Sequence, residues 1–176
     1  MLTRNEFETK EAGRLSFRAP AAHDGSGIHA LVQRCQPLDV NSRYCYLILC
    51  EHFSSTCLVA EEHDAILAFV TAYIPPDRPD TLFVWQVAVD AALRGQGVAK
   101  AMVQNLMRRP ALRHIRYVEG TVNPSNDASR SLFHWLAREM EAEVHETLLF
   151  PTEMLGENHE QENLIRVGPF DLVGKT

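Results

Sequence analysis

An α/β fold that mixes β-hairpins with crossover units is what the sequence predicts, and three observations carry the prediction. Residues 56–61 and 65–74 are two β-rich runs separated by Glu62-His63-Asp64, the pattern of an antiparallel hairpin. Residues 81–89 form the clearest strand of the chain, and it runs through Asp90-Ala91-Ala92-Leu93 into a glycine turn. From Val98 onward the apolar positions Val98, Met102 and Leu106, with Ala99, Val103 and Met107, mark an amphipathic helix that Pro110 ends.

The other elements follow from the same periodicities. Leu15-Ser16-Phe17-Arg18 alternates like a short edge strand stopped by Pro20. Asp24 or Ser26 can cap a helix that carries Ile28, Leu31 and Val32 on one face and closes at Pro37. Residues 39–42 offer a second cap, and Tyr44, Leu47 and Ile48, with Phe53, recur at helical spacing. Pro75, Pro76 and Pro79 make residues 75–80 a loop, because a proline cannot donate to a ladder. Residues 115–122 read as a strand, Asn123-Pro124-Ser125-Asn126 as a turn, and Leu132, Leu136 and Met140, with Phe133 and Trp135, as a helix. A strand at residues 144–150, an irregular stretch at 151–162 and a short strand at 163–167 complete the order β-α-α-β-β-β-α-β-α-β-β. One domain spanning residues 1–176 is expected, with its core at about 15–149.

Composition narrows the class. With 45% hydrophobic and 23% charged residues, the profile is that of a soluble globular chain rather than a disordered or membrane-spanning one. The polar N-terminus Met1-Leu2-Thr3-Arg4-Asn5-Glu6 lacks the apolar stretch of a secretory signal, so a cytoplasmic location is expected. A net charge of -6 gives no electrostatic reason for a nucleic-acid partner. Cys35, Cys45, Cys50 and Cys57 show no C-x-x-C spacing and are expected to be reduced, structural thiols. No metal-ligand spacing occurs, so no metal is expected. The basic run Arg108-Arg109, Arg113-His114 and Arg116 reads either as a solvated helix end or as a phosphate contact.

The glycine turn carries the chemistry. A strand ending in Arg94-Gly95-Gln96-Gly97-Val98-Ala99 and opening a helix points backbone N–H groups outward at the positive end of the helix dipole, which suits a pyrophosphate. A dinucleotide fingerprint would need a third glycine where Lys100 stands, and a Walker A loop would need a wider spacing and a Lys-Ser/Thr pair. A plain chain reversal is the remaining alternative.

Arg94-Gly95-Gln96-Gly97-Val98-Ala99, following the strand Phe83-Val84-Trp85-Gln86-Val87-Ala88-Val89, resembles the central motif of the GNAT superfamily of N-acetyltransferases. Asn126-Asp127-Ala128-Ser129-Arg130-Ser131-Leu132-Phe133 resembles its later Asn-x-x-Ala-x-x-Leu-Tyr helix start. The resemblance implies a GNAT fold, with a mixed, mostly antiparallel central sheet flanked by helices, and acetyl-CoA as cosubstrate. It implies that the backbone of Val87 and Val89 pairs with the pantetheine arm. It further implies that amides from Arg94, Gly95, Gln96, Gly97, Val98 and Ala99 hold the pyrophosphate and that Asn126 contacts the cofactor near the thiol. Phe133 departs from the family, because many members place there a tyrosine that protonates the leaving thiolate.

A narrower resemblance lies in Leu38-Asp39-Val40-Asn41-Ser42-Arg43-Tyr44-Cys45-Tyr46, in residues 84–89, and in Gly156-Glu157-Asn158-His159-Glu160-Gln161-Glu162 with the following Ile165-Arg166-Val167-Gly168-Pro169. These segments look like the diaminobutyrate N-γ-acetyltransferase family of ectoine biosynthesis, which implies a small diamino acid as acceptor, with residues 150–168 serving its site. Such an acceptor presents two ammonium groups and a carboxylate, so its pocket needs anionic partners, an aromatic face and a polar clamp. Asp39, Tyr44 and Trp85 are the candidate acceptor residues, and Glu162 and His159 the candidate bases. Each has a bland alternative: Asp39 a helix cap, Tyr44 and Trp85 core positions, His159 and Glu162 a solvated loop. A homodimer is the expected assembly.

Overall fold

Two units emerge from the packing of the chain, residues Met1–Tyr73 with Gln86–Arg113, and residues Ile74–Trp85 with His114–Thr176. The computed structural model describes residues 5–8, 14–156 and 159–172.

The first unit is built on antiparallel strands β1 (Asn5–Glu8), β2 (Arg14–Arg18), β3 (Leu58–Glu62) and β4 (Ala65–Tyr73), ordered as in the chain. Each pairs antiparallel with the next. β1 is a strand that sequence periodicity did not anticipate; it pairs Asn5 with Phe17 and Glu8 with Arg14. The β3–β4 hairpin turns on His63 and Asp64, both left-handed at φ 48° and 63°. Two consecutive positive φ angles match the right-handed twist of the flanking strands, which is why so short a turn closes the hairpin.

Helices α1 (Gly25–Arg34), α2 (Arg43–His52) and α3 (Val98–Met107) belong to the same unit. Ile28, Leu31 and Val32 of α1, with Tyr46, Leu49 and Cys50 of α2, join Val59, Ile66, Phe69 and Ala88 in one buried cluster. Two expectations change here. α2 buries Tyr46, Leu49 and Cys50 rather than Tyr44, Leu47 and Ile48. Both triplets have helical spacing; the buried one carries a phenol whose hydroxyl finds a polar partner, while Tyr44 is 70% exposed. Asp24, in turn, does not cap α1 with its side chain. Its carboxylate accepts two hydrogen bonds from Arg18, at 2.6 and 2.8 Å, and one from the Ala21 amide at 2.7 Å. Arg18 also reaches Glu61, so one guanidinium holds two buried carboxylates and links β2, β3 and the entry to α1.

All four cysteines are free thiols, three of them buried. Burial pushes the Cys50 thiol up to about 12 and the Cys57 thiol up to about 11, which keeps both protonated and inert. In the basic run, Arg109 is engaged within the protein rather than being a solvated helix end. Its guanidinium donates to the carbonyls of Ser54, Ser55 and Cys57 at 3.0, 3.0 and 2.7 Å, holding the chain between α2 and β3.

β5 (Thr81–Val89) passes from the second unit into the first at Trp85 and Gln86. Within the second unit, its N-terminal half leads the order β5, β6 (Tyr117–Val122), β8 (Glu162–Val167), β7 (Val144–Phe150). β5 and β6 are parallel, and the other two pairings antiparallel. Helix α4 (Asp127–Met140) buries Phe133, Leu136 and Ala137. Residues 151–162, expected to be irregular, contain the short helix α5 (Thr152–Leu155) and the first residue of β8. Glu119, fully buried on β6, accepts from Arg78 at 2.6 Å and from Arg166. The two cations compensate a charge that would otherwise be costly inside a sheet.

Candidate active site

The parallel ladder between β5 and β6 covers only Thr81, Leu82 and Phe83, ending at Phe83↔Glu119, while β5 continues to Val89. Val87 and Val89 lie on this extension and are half-buried. The Val89 carbonyl accepts from Arg94 Nε at 3.2 Å and Cys35 Sγ at 3.6 Å.

Beyond β5, Asp90 caps a short 3-10 turn by accepting from the Ala92 amide, and the chain enters the glycine turn. Gly95 and Gly97 have φ of 74° and 83°, a conformation L side chains avoid. Beyond the adjoining residues of the turn itself, nothing lies within 4 Å of where a Cβ on either would stand. Glycine is therefore demanded by backbone conformation, and the space before the turn is open. Gly97 is the N-cap of α3, so the amides of Val98 and Ala99 fall in the first turn, which has no intrahelical carbonyl to bond. Those amides and the ten-residue helix dipole favour an anion at this point. Gln96 braces the turn by donating to the Ala92 carbonyl at 3.0 Å. The cradle fits the pyrophosphate of a coenzyme A.

Of the acceptor candidates in the first unit, Asp39 lies in the stretch before α2 and is exposed. It is not the cap of α2: that place belongs to Ser42, whose hydroxyl accepts from the Cys45 amide at 3.2 Å. Tyr44 is not a core residue. A contact that sequence reasoning missed ties this region down. Gln86 Nε2 donates to the Asp39 carbonyl at 2.9 Å, and Gln86 Oε1 accepts from the Tyr46 hydroxyl at 3.0 Å. The available signal was a lone polar residue at an alternating position otherwise taken by Leu82, Val84 and Ala88.

In the second unit, Trp85 is 43% exposed, which removes its reading as a core residue. Asn126 is the N-cap of α4 and accepts from the Ser129 amide at 3.0 Å. Its oxygen thus serves the helix start, which leaves Nδ2 as a donor of the same side chain. The adjacent Ser125 amide donates to Glu160 at 3.1 Å, bringing the segment before β8 beside this turn. Pro124, Ser125, Thr152, Glu160 and Gln161 line an open groove of about 610 Å³ there. Nearby, Arg130 and Asn163 hydrogen-bond the Glu146 carboxyl and hold it below the ordinary carboxylate range. His159 is exposed, with its amide bonded to the Gly156 carbonyl, and Glu162 is half-buried opposite Phe150 on β7. Glu157 and Asn158 lie outside the described residues. Among the described residues, no group of three or more His, Cys, Asp or Glu could hold a metal ion.

A strand that runs on past its parallel ladder, a left-handed glycine turn and an unpaired helix start together make a place suited to an anionic group. The acetyltransferase (GNAT) family profile matches residues 26–136, and the chain belongs to that family. It is 48% identical to the L-2,4-diaminobutyric acid acetyltransferase of Bordetella parapertussis over 89% of this chain and 86% of that one. It is 44% identical to the enzyme of the same name from Halomonas elongata, over 91% of this chain and 84% of that one. Among solved structures, it superposes with a TM-score of 0.86 and 42% identity on diaminobutyrate acetyltransferase EctA from Paenibacillus lautus, in complex with its substrate L-2,4-diaminobutyric acid and coenzyme A. That match covers 90% of this chain and 96% of the other. The fold alone is shared with the ribosomal-protein-S18-alanine N-acetyltransferase of Escherichia coli, at a TM-score of 0.67 and 16% identity over 92% of this chain and 97% of that one.

Proposed function

We propose that this protein transfers the acetyl group of acetyl-CoA to the γ-amino group of L-2,4-diaminobutyrate, giving N-γ-acetyl-L-2,4-diaminobutyrate, the acetylation step of ectoine biosynthesis. The cofactor half rests on one observation: the positive-φ pair Gly95 and Gly97, open to solvent before the first turn of α3. The acceptor half rests on 48% identity to a relative named for that acid.

In this reading the thioester carbonyl is attacked directly by the neutral amine: a C–N bond forms, the C–S bond breaks, and coenzyme A leaves as thiolate. Backbone amides of residues 94–99 hold the pyrophosphate, Val87 pairs with the pantetheine arm, and Asn126 contributes its side-chain amide. Asp39 holds an ammonium group by a charge-assisted hydrogen bond, and Tyr44 and Trp85 offer aromatic faces to it. Glu162, or His159, takes the proton that the attacking ammonium must lose. Phe133 has no proton to give, so the thiolate is reprotonated from solvent or from the proton the base has taken.

The reaction consumes acetyl-CoA, and we propose the cytoplasm as its site and a homodimer as its assembly. The dimer reading is supported by β7, at the end of its strand order, with Leu148, Leu149 and Phe150 exposed and Met154 beyond them 73% exposed. The experiment that tests the activity is thiol release from acetyl-CoA across a panel of amines, with the acetylated nitrogen read by NMR. Turnover of diaminobutyrate with acetyl on the γ nitrogen is expected; release only with peptides, or none at all, refutes it.

A further inference from the structure

Residues 39–42 form no helix or strand, yet Asp39 has to present its carboxylate at a fixed point if it is to hold an ammonium group. The carboxylate itself has no hydrogen-bond partner among the described residues, so its position is set by its backbone. Two anchors of that backbone end on one pair of side chains. Gln86 Nε2 donates to the Asp39 carbonyl at 2.9 Å, and the Asn41 amide approaches the Tyr46 hydroxyl at 3.4 Å.

The pair is rigid. Tyr46 is 1% exposed, and its ring meets His29 and Phe69 edge-on, each at a centroid distance of 6.1 Å. Its hydroxyl donates to Gln86 Oε1 at 3.0 Å, which leaves the NH2 end of the amide facing the Asp39 carbonyl. The reversed amide would set two acceptor oxygens against each other, so the network selects one orientation. The Gln86 backbone is held as well, its carbonyl accepting from Thr71 Oγ1 at 3.4 Å. Gln86 directly precedes Val87, so one residue of β5 joins the strand position proposed for pantetheine to the segment proposed for the acceptor.

We infer that Gln86 and Tyr46 are positioning residues for the acceptor: the relay Tyr46 hydroxyl, Gln86 amide, Asp39 carbonyl places the Asp39 carboxylate and so sets the affinity for the diamino acid. This rests on the reading of Asp39 as the ammonium holder. In this relay both act through the backbone of Asp39.

The test is steady-state kinetics with L-2,4-diaminobutyrate and acetyl-CoA varied in turn, for wild type, Gln86→Glu, Tyr46→Phe, Asp39→Asn and the double variants combining Asp39→Asn with each. Gln86→Glu keeps an acceptor for Tyr46 but turns a carboxylate oxygen toward the Asp39 carbonyl. It should raise KM for diaminobutyrate about ten-fold, the effect of one lost hydrogen bond, with kcat and KM for acetyl-CoA within about two-fold of wild type. Tyr46→Phe should raise the same KM by less, about three-fold. In the Asp39→Asn background either change should add less than about two-fold, because the group being positioned is gone. If Gln86→Glu fails to fold by circular dichroism, the Tyr46→Phe pair carries the same comparison. Multiplicative effects in the double variants, or equal losses for both substrates, overturn the relay. So does an unchanged KM for diaminobutyrate in Asp39→Asn. Absence of diaminobutyrate turnover in the wild type overturns the acceptor reading itself, which is a separate outcome.

Discussion

The ring of Phe133 rests directly on the backbone of Gly120: Phe133 Cζ lies 2.5 Å from where a Cβ on residue 120 would stand, and the Val84 carbonyl oxygen lies 2.8 Å from the same point. α4 approaches the sheet this closely because β6 has no side chain at that position. The Phe133 ring is 7% exposed and packed into this slot. Gly120→Ala should therefore destabilise the protein by about 2 to 3 kcal/mol through overpacking, since the opposing carbonyl cannot yield as a flexible side chain would. Urea unfolding checks this, and an unchanged midpoint would show that the slot has room.

At Gly97 the space is open and the demand is conformational, so substitution acts on binding as well as stability. Acetyl-CoA should raise the thermal midpoint of the wild type, and NAD(H) should not. Gly97→Val puts a β-branched residue at φ 83° and a side chain in front of the first-turn amides, and should remove the acetyl-CoA shift. A folded Gly97→Val protein with an undiminished shift would falsify the cradle.

The parts legible in the sequence were those encoded by neighbours. The hairpin at His63 and Asp64, the strand running into Gly95 and Gly97, and the face of α3 that buries Val98, Met102, Val103, Leu106 and Met107 are all written within about ten residues. β1 was not, because its pairing with β2 depends on partners six to twelve residues away rather than on apolar alternation of its own. The face of α2 was ambiguous for a related reason. Residues 44–50 are apolar nearly all round, and the choice of Tyr46 over Tyr44 is made by Gln86, forty residues on. Arg109 and Glu119 were invisible as a class: a charge held by distant carbonyls or distant cations looks in sequence like any surface charge.

Asp24 should make stability depend on pH in a defined direction. Burial by itself raises its carboxyl, but the hydrogen bonds from Arg18 and from the Ala21 amide outweigh it and hold the pKa below the ordinary carboxylate value. The stabilisation is thus complete above the unfolded-chain pKa of about 4 and is lost as pH falls through the lower folded value. Asp24→Asn should cost about 2 to 4 kcal/mol at pH 7, and the gap to wild type should narrow in acid. Denaturant melts from pH 7 to 2 test this; a constant gap would mean that Asp24 does not titrate in that window.

Acceptor length should matter. One added methylene costs about 1 to 3 kcal/mol in a fitted pocket, so ornithine should be poorer than diaminobutyrate by roughly ten-fold or more in kcat/KM, and lysine poorer still. Competition between the three diamino acids, followed by mass spectrometry of the products, measures the ratios directly. Equal turnover of lysine would point to an acceptor held at one end only.

The two acidic candidates should separate kinetically. Asp39 is exposed on a segment anchored by Gln86, a setting for holding charge, and Asp39→Asn should raise KM for diaminobutyrate while acetyl-CoA binding stays unchanged. Glu162 is half-buried at the start of β8, two residues from Glu160, whose carboxylate is fixed by the Ser125 amide, and Glu162→Gln leaves that anchor intact. If Glu162 takes the proton, its removal should depress kcat most at pH 7, where little of the amine is neutral. Turnover should then recover in part toward pH 9, as the free base supplies itself. His159→Ala is the companion variant: its amide bond to Gly156 survives the substitution, so a turnover defect there reports on the imidazole. Wild-type turnover of Glu162→Gln from pH 7 to 9, with a defect in His159→Ala, assigns the proton to the histidine.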